Sequence, residues 1–171
     1  PEAAQALLAE AGYDAANPFP TIKLSYRDVV RGYLPDPNVV AQDIQAQLKE
    51  NLGVTVEINV MESGAFLEAA DAGQLDGLHL LGWGADYPDM TNFVGYHFGG
   101  GSSDQFGTHY DDIVAAIDSG AQLADDADRA PFYEETNNLI KQHVPMIPVA
   151  HGGSALAYKA EVDGAHASPL G

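Results

Sequence analysis

Polar and apolar positions along the chain follow two rhythms in turn. Ala4, Leu7, Leu8 and Ala11 recur at i, i+3, i+4 and i+7, which predicts an amphipathic helix over residues 3–11 with Gly12 as its C-cap. The loop Asn17-Pro18-Phe19-Pro20 follows. Ile22, Leu24 and Tyr26 then alternate with Lys23, Ser25 and Arg27, the period of a half-buried strand. Residues 28–34 carry no clear rhythm. Asp36 before Pro37 predicts a helix start, with aspartate as N-cap and proline where no backbone donor is missed. Val40, Ile44, Leu48 and Leu52 form its ridge, and Gly53 closes it. Val54, Val56, Ile58 and Val60 alternate with Thr55, Glu57 and Asn59, the cleanest strand signal in the chain. Ser63 is expected to cap a short helix running to Ala72.

The stretch GLHLLGWGADYPDMTNF at residues 77–93 is the one the rest is organised around. Leu78-His79-Leu80-Leu81 is nearly continuous apolar sequence, which predicts a strand buried on both faces. It breaks at Gly82-Trp83-Gly84 and ends in Asp86-Tyr87-Pro88-Asp89. In α/β sheets ligands bind beyond the carboxyl ends of strands, so an aromatic ring, two glycines and a carboxylate here read as a binding site.

Residues 91–98 predict a short helix, followed by a glycine-rich loop. Thr108 is expected to cap a helix bearing Tyr110, Ile113, Val114 and Ile117, with Gly120 at its end. Asp128 is the expected N-cap of a longer helix, because it puts Pro131 in the first turn. Phe132, Thr136, Leu139, Ile140 and His143 line one face of that helix, and Val144-Pro145 stops it. Residues 146–151 and 155–162 read as strands, Pro148 confining the first to an edge or bulge. The tail Ser168-Pro169-Leu170-Gly171 carries no closing signal. Strands alternating with helices, then a helical pair, give an α/β fold with a mixed sheet flanked by helices.

Composition narrows the function. The 171 residues suffice for one compact domain, and 46% apolar with 19% charged residues is globular composition. No apolar run approaches the roughly 18 residues that cross a bilayer. The chain has neither an initiator Met nor a leader-like start and reads as processed or excised. A net charge of −18 leaves nothing to neutralise a row of phosphates, which argues against nucleic acid. The absence of cysteine excludes disulfides, thiolate metal sites and a cysteine nucleophile.

Catalytic and metal constellations are weak. The six histidines, His79, His97, His109, His143, His151 and His166, show no zinc-hydrolase spacing. Ser63, Ser102, Ser103, Ser119 and Ser154 lie in no nucleophile elbow. Asp86 and Asp89 form the one carboxylate pair to weigh as an acid/base couple. Asp89, just after Pro88, reads better as a helix N-cap. Asp86 has no capping role and suits a cationic ligand group, with a turn aspartate bonding its own backbone as the alternative. Trp83, the sole tryptophan, is either a core filler or a stacking surface.

At these residues the chain resembles the C-terminal lobe of the peptide/nickel-type (family 5) solute-binding proteins, the extracytoplasmic receptors of ABC importers. Ala6-Leu7-Leu8-Ala9-Glu10-Ala11-Gly12-Tyr13 is similar to the family's helix ending in AGY, and Gln47-Leu48 through Leu52-Gly53-Val54-Thr55-Val56 to its helix-to-strand passage. Asp76, Leu80-Leu81-Gly82-Trp83-Gly84-Ala85-Asp86-Tyr87-Pro88-Asp89 and Asn92-Phe93 resemble its signature. Arg129 with Tyr133, then Val144-Pro145-Met146-Ile147-Pro148, resembles its late segment. The resemblance covers most of the chain and implies one lobe of a type II periplasmic-binding-protein-like fold. Such receptors close two lobes on a ligand. This chain would be a single lobe over residues 1–171, without the N-terminal lobe and the far C-terminal segment, as its abrupt ends fit.

The resemblance further implies a receptor that catalyses nothing, needs no cofactor, and passes a small ligand, foremost a di- or oligopeptide, to the membrane subunits of the importer. It would work in the periplasm or outside the cell, free or as the soluble part of a lipoprotein. In peptide-binding relatives an aspartate in the W-x-x-D segment holds the ligand's α-ammonium, by position Asp86, which should stay ionised beside it. Trp83 and Tyr87 would line the cleft, and Asn92 belongs to the same signature. The arginines that read a ligand carboxylate in some relatives have no clear counterpart, with Arg31 or Arg27 available. A lobe alone would bind weakly or not at all and expose an apolar wall inviting self-association. The rivals are a metal or nickel-chelate receptor with His97 or His109 as ligand, an oligosaccharide receptor, and a hydrolase domain using Asp86 and Asp89.

Overall fold

The computed structural model describes residues 1–153 and 155–166, so the Ser154 hydroxyl and the tail from residue 168 lie outside the described residues. They fall into two compact units, Pro1–Ala69 with Gln74–Gly82, and Ala70–Gly73 with the chain from Trp83 onward.

The first unit is a strand–helix–strand arrangement. Its three-stranded sheet has the order β2-β1-β3, with β1 at Ile22–Arg27, β2 at Val56–Met61 and β3 at Leu78–His79. β1 pairs parallel with both neighbours, from Ile22↔Val56 to Arg27↔Met61 on one side and Leu24↔Leu78 to Ser25↔His79 on the other. The fold is α/β as expected, and the described sheet is parallel where a mixed one was expected. Because β1 is central, Leu24, Ser25 and Tyr26 are all buried, so it is not the half-buried strand that its alternation predicts. The one polar member is satisfied: Asn59 Nδ2 donates to Ser25 Oγ at 3.1 Å.

Helix α1 spans Glu2–Glu10, and α2 spans Pro37–Leu52. Asp36 caps α2 by accepting from the Val39 N–H at 3.0 Å, as its position before proline predicts. Gly53 ends α2 in the left-handed region at φ 69°, which sends the chain back toward β2. Leu24, Tyr26, Ala41, Val54 and Val56 make the core, with Ile44, Leu48 and Leu52 of the ridge packed against it. Helix α3 covers Ser63–Asp71. Its cap is Glu62 rather than Ser63, since Glu62 Oε2 accepts from the Ala65 N–H at 3.0 Å and Ser63 Oγ is taken by Arg27 Nη1.

The expected two-face burial of the 78–81 run does not hold. Only Leu78 and His79 pair, at the edge of the described sheet, and Leu78 stays partly exposed. An apolar run cannot tell a central strand from the short edge on which a sheet ends.

The second unit is helical. A 3₁₀ turn at Met90–Asn92 leads into α4 at Val94–Phe98, and a second 3₁₀ turn at Asp104–Phe106 precedes α5 at Asp111–Ala121 and α6 at Asp126–His143. Val94, Phe98, Ile113, Ile117, Tyr133 and Ile140 form its core. Two expected caps are corrected. Thr108 is not the cap of α5, which begins three residues later after Tyr110 with no side-chain cap. The cap of α6 is Asp125, whose carboxylate accepts from the Ala127 N–H at 2.9 Å, leaving Pro131 inside the helix. Arg129 stands in this helix one turn before Tyr133.

Val144 ends α6 at φ 53°, a strained conformation for a β-branched residue. Residues 146–151 and 155–162 form no strand among the described residues. Pro145 and Pro148 lack ladder donors, and Ile147 and Val149 stand 67% and 71% exposed with no neighbouring strand to cover them.

Candidate functional site

Five residues are singled out by the sequence: Trp83, Asp86, Tyr87, Asn92 and Arg31. Four lie on one short loop-and-turn segment of the second unit, and Arg31 belongs to the first.

Asn92 organises the segment. It ends the 3₁₀ turn, is 5% exposed, and its Oδ1 accepts two hydrogen bonds, from the Trp83 indole N–H at 3.0 Å and from the Asp86 backbone N–H at 2.9 Å. One buried amide oxygen therefore sets both the ring and the start of the acidic turn. A buried indole N–H requires such a partner. Asn92 thus acts as an internal brace, a role its place after a turn does not announce.

Trp83 is half-buried, and its ring stacks on Tyr96 at 4.0 Å between centroids with 22° between planes. His97 meets the indole edge-on at 5.2 Å, and its Nδ1 faces Gln105 Oε1 at 3.2 Å. Burial holds the His97 ring below the usual histidine range, with the Gln105 bond acting the other way, so the neutral ring is favoured. Tyr96, half exposed, is a partner that the sequence reasoning missed, because one tyrosine in a short helix carries no signal of what it stacks on.

The two aspartates of the turn have opposite fates. Asp89 Oδ1 accepts from the Thr91 N–H at 2.9 Å, capping the 3₁₀ turn as expected. It also forms a two-pronged pair with Arg129: Nη1 to Oδ2 at 2.7 Å and Nη2 to Oδ1 at 2.8 Å. Arg129 Nη2 also donates to the Tyr133 hydroxyl at 2.7 Å, and Nε donates to the Gly120 carbonyl at 3.3 Å. The Arg129 bond holds the Asp89 carboxyl well below the usual carboxylate range, and Asp89 in turn raises Arg129. A carboxylate so committed is no general acid or base.

Asp86, by contrast, is exposed, and its carboxylate makes no hydrogen bond or ion pair with any described residue. Only its backbone is held. Tyr87 is 47% exposed, its hydroxyl 3.3 Å from Thr91 Oγ1. The two glycines flanking Trp83 also differ. A Cβ on Gly82 would overlap the Tyr33 ring, so this close approach serves internal packing, whereas Gly84 faces open space.

In the first unit Arg31 lines a shallow recess with Arg27, Tyr33, Leu34 and Leu80. Arg31 Nη1 donates to the Val30 carbonyl at 3.0 Å, and Arg27 Nη1 to Ser63 Oγ at 3.1 Å. Each guanidinium keeps further donors for an anionic group.

The histidines named as metal ligands are otherwise engaged: His97 with Gln105, and His109 Nε2 with Asp104 at 3.3 Å. No group of three or more His, Asp or Glu able to hold a metal occurs among the described residues. Among them, too, no helix is long and apolar enough to cross a membrane.

In this braced aromatic turn the Asp86 carboxylate is the group left open to solvent. Residues 1–105 match the family model of the bacterial extracellular solute-binding proteins, family 5 (middle part), and the chain belongs to that family, one of binding proteins and not of enzymes. It is 31% identical over 155 residues to di/tripeptide-binding protein 4 of Pseudomonas aeruginosa (strain UCBPP-PA14), a match covering 88% of this chain and 28% of that protein. With heme-binding protein A of Haemophilus influenzae it shares 29% over 174 residues, covering 100% of this chain and 31% of that protein. Among solved structures, the dipeptide-binding protein of Pseudoalteromonas sp. SM9913 in complex with Met-Leu superposes with a TM-score of 0.81 at 26% identity, covering 89% of this chain and 30% of that one. The chain thus spans about 30% of the length of these relatives.

Proposed function

We propose that this chain is part of the substrate-binding component of an ABC importer, working outside the cytoplasm and capturing a di- or oligopeptide through Asp86. The observation that carries this is the contrast within one turn: Asp89 is fully engaged by Arg129 and Thr91, while the Asp86 carboxylate is fixed at its backbone and left open. An open carboxylate gains most from a cationic partner, and a peptide's α-ammonium supplies one. Trp83 and Tyr87 line the same turn, and Asn92 braces it. The peptide relatives support this choice of ligand. The heme-binding relative supports a second occupant of the same fold, a flat cofactor-like ligand. Residues 1–171 act as one lobe of a longer receptor, completed by an N-terminal lobe and delivering to the importer's membrane subunits. A single lobe offers about half the contacts of a closed site, and each 1.4 kcal/mol lost is about tenfold in affinity. Binding by this chain alone is therefore weak, and its apolar surface favours self-association.

The test is Trp83 fluorescence during titration with Ala-Ala and with N-acetyl-Ala-Ala, repeated on Asp86→Asn. A saturable response to the free-amine peptide, absent with the acetylated one and in the variant, is the expected result. Equal responses to both peptides would overturn the ammonium assignment. Heme titrated in parallel decides the second occupant.

A further inference from the structure

We infer that Tyr96 determines specificity at this site: backed by the Trp83 ring, its open side is an aromatic platform that selects a cationic ligand whose ammonium neighbours an apolar or aromatic group. The proposal rests on the peptide reading above and names which peptides the site prefers, those with a large apolar first residue.

Three observations carry it. Trp83 and Tyr96 stack face to face at 4.0 Å, so each covers a face of the other, and the surface left to a ligand is what stays open on Tyr96, which is 50% exposed. A ring that closed a core would be covered; this one keeps half its area open. The platform is also rigid, because Trp83 is fixed at its indole N–H by Asn92 and at its edge by His97, which meets Tyr96 as well, at 5.0 Å and 86°. A surface already ordered adds little entropic cost when a ligand settles on it. Finally, the platform is tied to the open carboxylate. The same Asn92 Oδ1 that holds the indole N–H holds the Asp86 N–H, so ring and acidic turn converge on one atom.

The chemistry selected follows from these parts. A carboxylate with no internal partner favours a cation, and a chain of net charge −18 strengthens that preference in its field. The stacked rings favour a flat or apolar group, and the negative face of a ring tolerates an adjacent ammonium. A free N-terminal amine carried by a Phe, Tyr, Leu or Met residue joins both within a few bonds. The solvent-exposed Met90 and Phe93 add apolar surface on the same segment.

The experiment is a titration of the full 171-residue chain, followed by the indole N–H resonance of Trp83, which is unambiguous because the chain holds one tryptophan. The probes are Phe-Ala, Ala-Phe and Ala-Ala, with Tyr96→Ala, Tyr96→Phe and Asp86→Asn beside the parent. Phe-Ala is expected to bind about threefold to tenfold tighter than Ala-Ala, the range of one aromatic pair. Tyr96→Ala should weaken Phe-Ala far more than Ala-Ala and so collapse that ratio, and Tyr96→Phe should restore it. Equal affinity of Phe-Ala and Ala-Ala in the parent, or a ratio that survives Tyr96→Ala, overturns the platform while leaving the peptide reading intact. No saturable shift with any of the three peptides overturns the peptide reading, and the platform falls with it. A Tyr96→Ala protein that has lost its fold is recognised by collapsed amide dispersion, and then the parent's own ratio and Tyr96→Phe decide.

Discussion

The two units are held together by different means. The first is sealed by apolar burial: a central strand with Leu24 and Tyr26 at 1% and 2% exposure, roofed by one helix whose cap and stop are written locally. The second also has an apolar core, but the turn bearing its candidate site is fixed by polar side chains far apart in sequence, with Asp89 and Arg129 separated by 40 positions. Burial of oily surface is tolerant and non-directional. Paired hydrogen bonds fix atoms in place, which is what a ligand site needs. The contrast predicts that the first unit fails by losing volume and the second by losing partners.

The largest effect is expected in the first unit. Leu24→Ala should cost about 3 kcal/mol, the usual range for emptying a fully buried leucine site, and denaturant unfolding measures it. A cost below about 1 kcal/mol would mean that the sheet is not the stabilising core described.

Next comes the lock. Arg129→Met should destabilise, though less than Leu24→Ala, because the pair is only partly exposed and the Asp89 carboxylate loses its main partner. Its signature is pH dependence. Asp89 is held below its unfolded value, so its stabilisation is fully present above about pH 4 and is lost as the pH falls through the lower folded value. The parent's stability should therefore fall on acidification below about pH 4, and Arg129→Met should fall less steeply there. Asp112, held low by its bond to His143, and Glu62, held low by backbone donors, leave part of the slope in place. The half-buried His97, held below its usual range by desolvation, adds a gentler loss from about pH 6.5 downward that the variant keeps. Parallel acid limbs in parent and variant would contradict the lock.

The smallest effect has the opposite sign. Val144 sits at φ 53°, where glycine carries no Cβ penalty, so Val144→Gly should stabilise by a few tenths to about 1 kcal/mol after glycine's entropy is subtracted. Thermal unfolding reads the change. A destabilised variant would mean that the valine side chain contributes more there than its strained backbone costs.

What could be read from the sequence follows the same division. Local signals carried the first unit: Asp36-Pro37, the ridge of α2 and Gly53 stand where the residues put them, and β2 alternates from Val56 to Ile58, whereas Val60 is 54% exposed. The capping role of Asp89 was equally local. Misreadings arose where tertiary partners decide. An apolar run did not reveal that Leu78 and His79 end the described sheet, and residues 146–162 have strand composition without a partner strand. Arg129 and Tyr133 stood out only by resemblance, since no spacing rule links them to Asp89. Asn92 and Tyr96 were hidden further, because their roles depend on where Trp83 comes to rest.

The central claim is a division of labour between two aspartates three positions apart, Asp86 open for ligand and Asp89 spent on structure. The most direct measurement compares Asp86→Asn and Asp89→Asn for thermal stability and for binding of Phe-Ala. Asp86→Asn should keep the parent's melting temperature and lose the peptide response, while Asp89→Asn should melt several degrees lower. A stable Asp89→Asn, or an Asp86→Asn that still binds the peptide as the parent does, would contradict it.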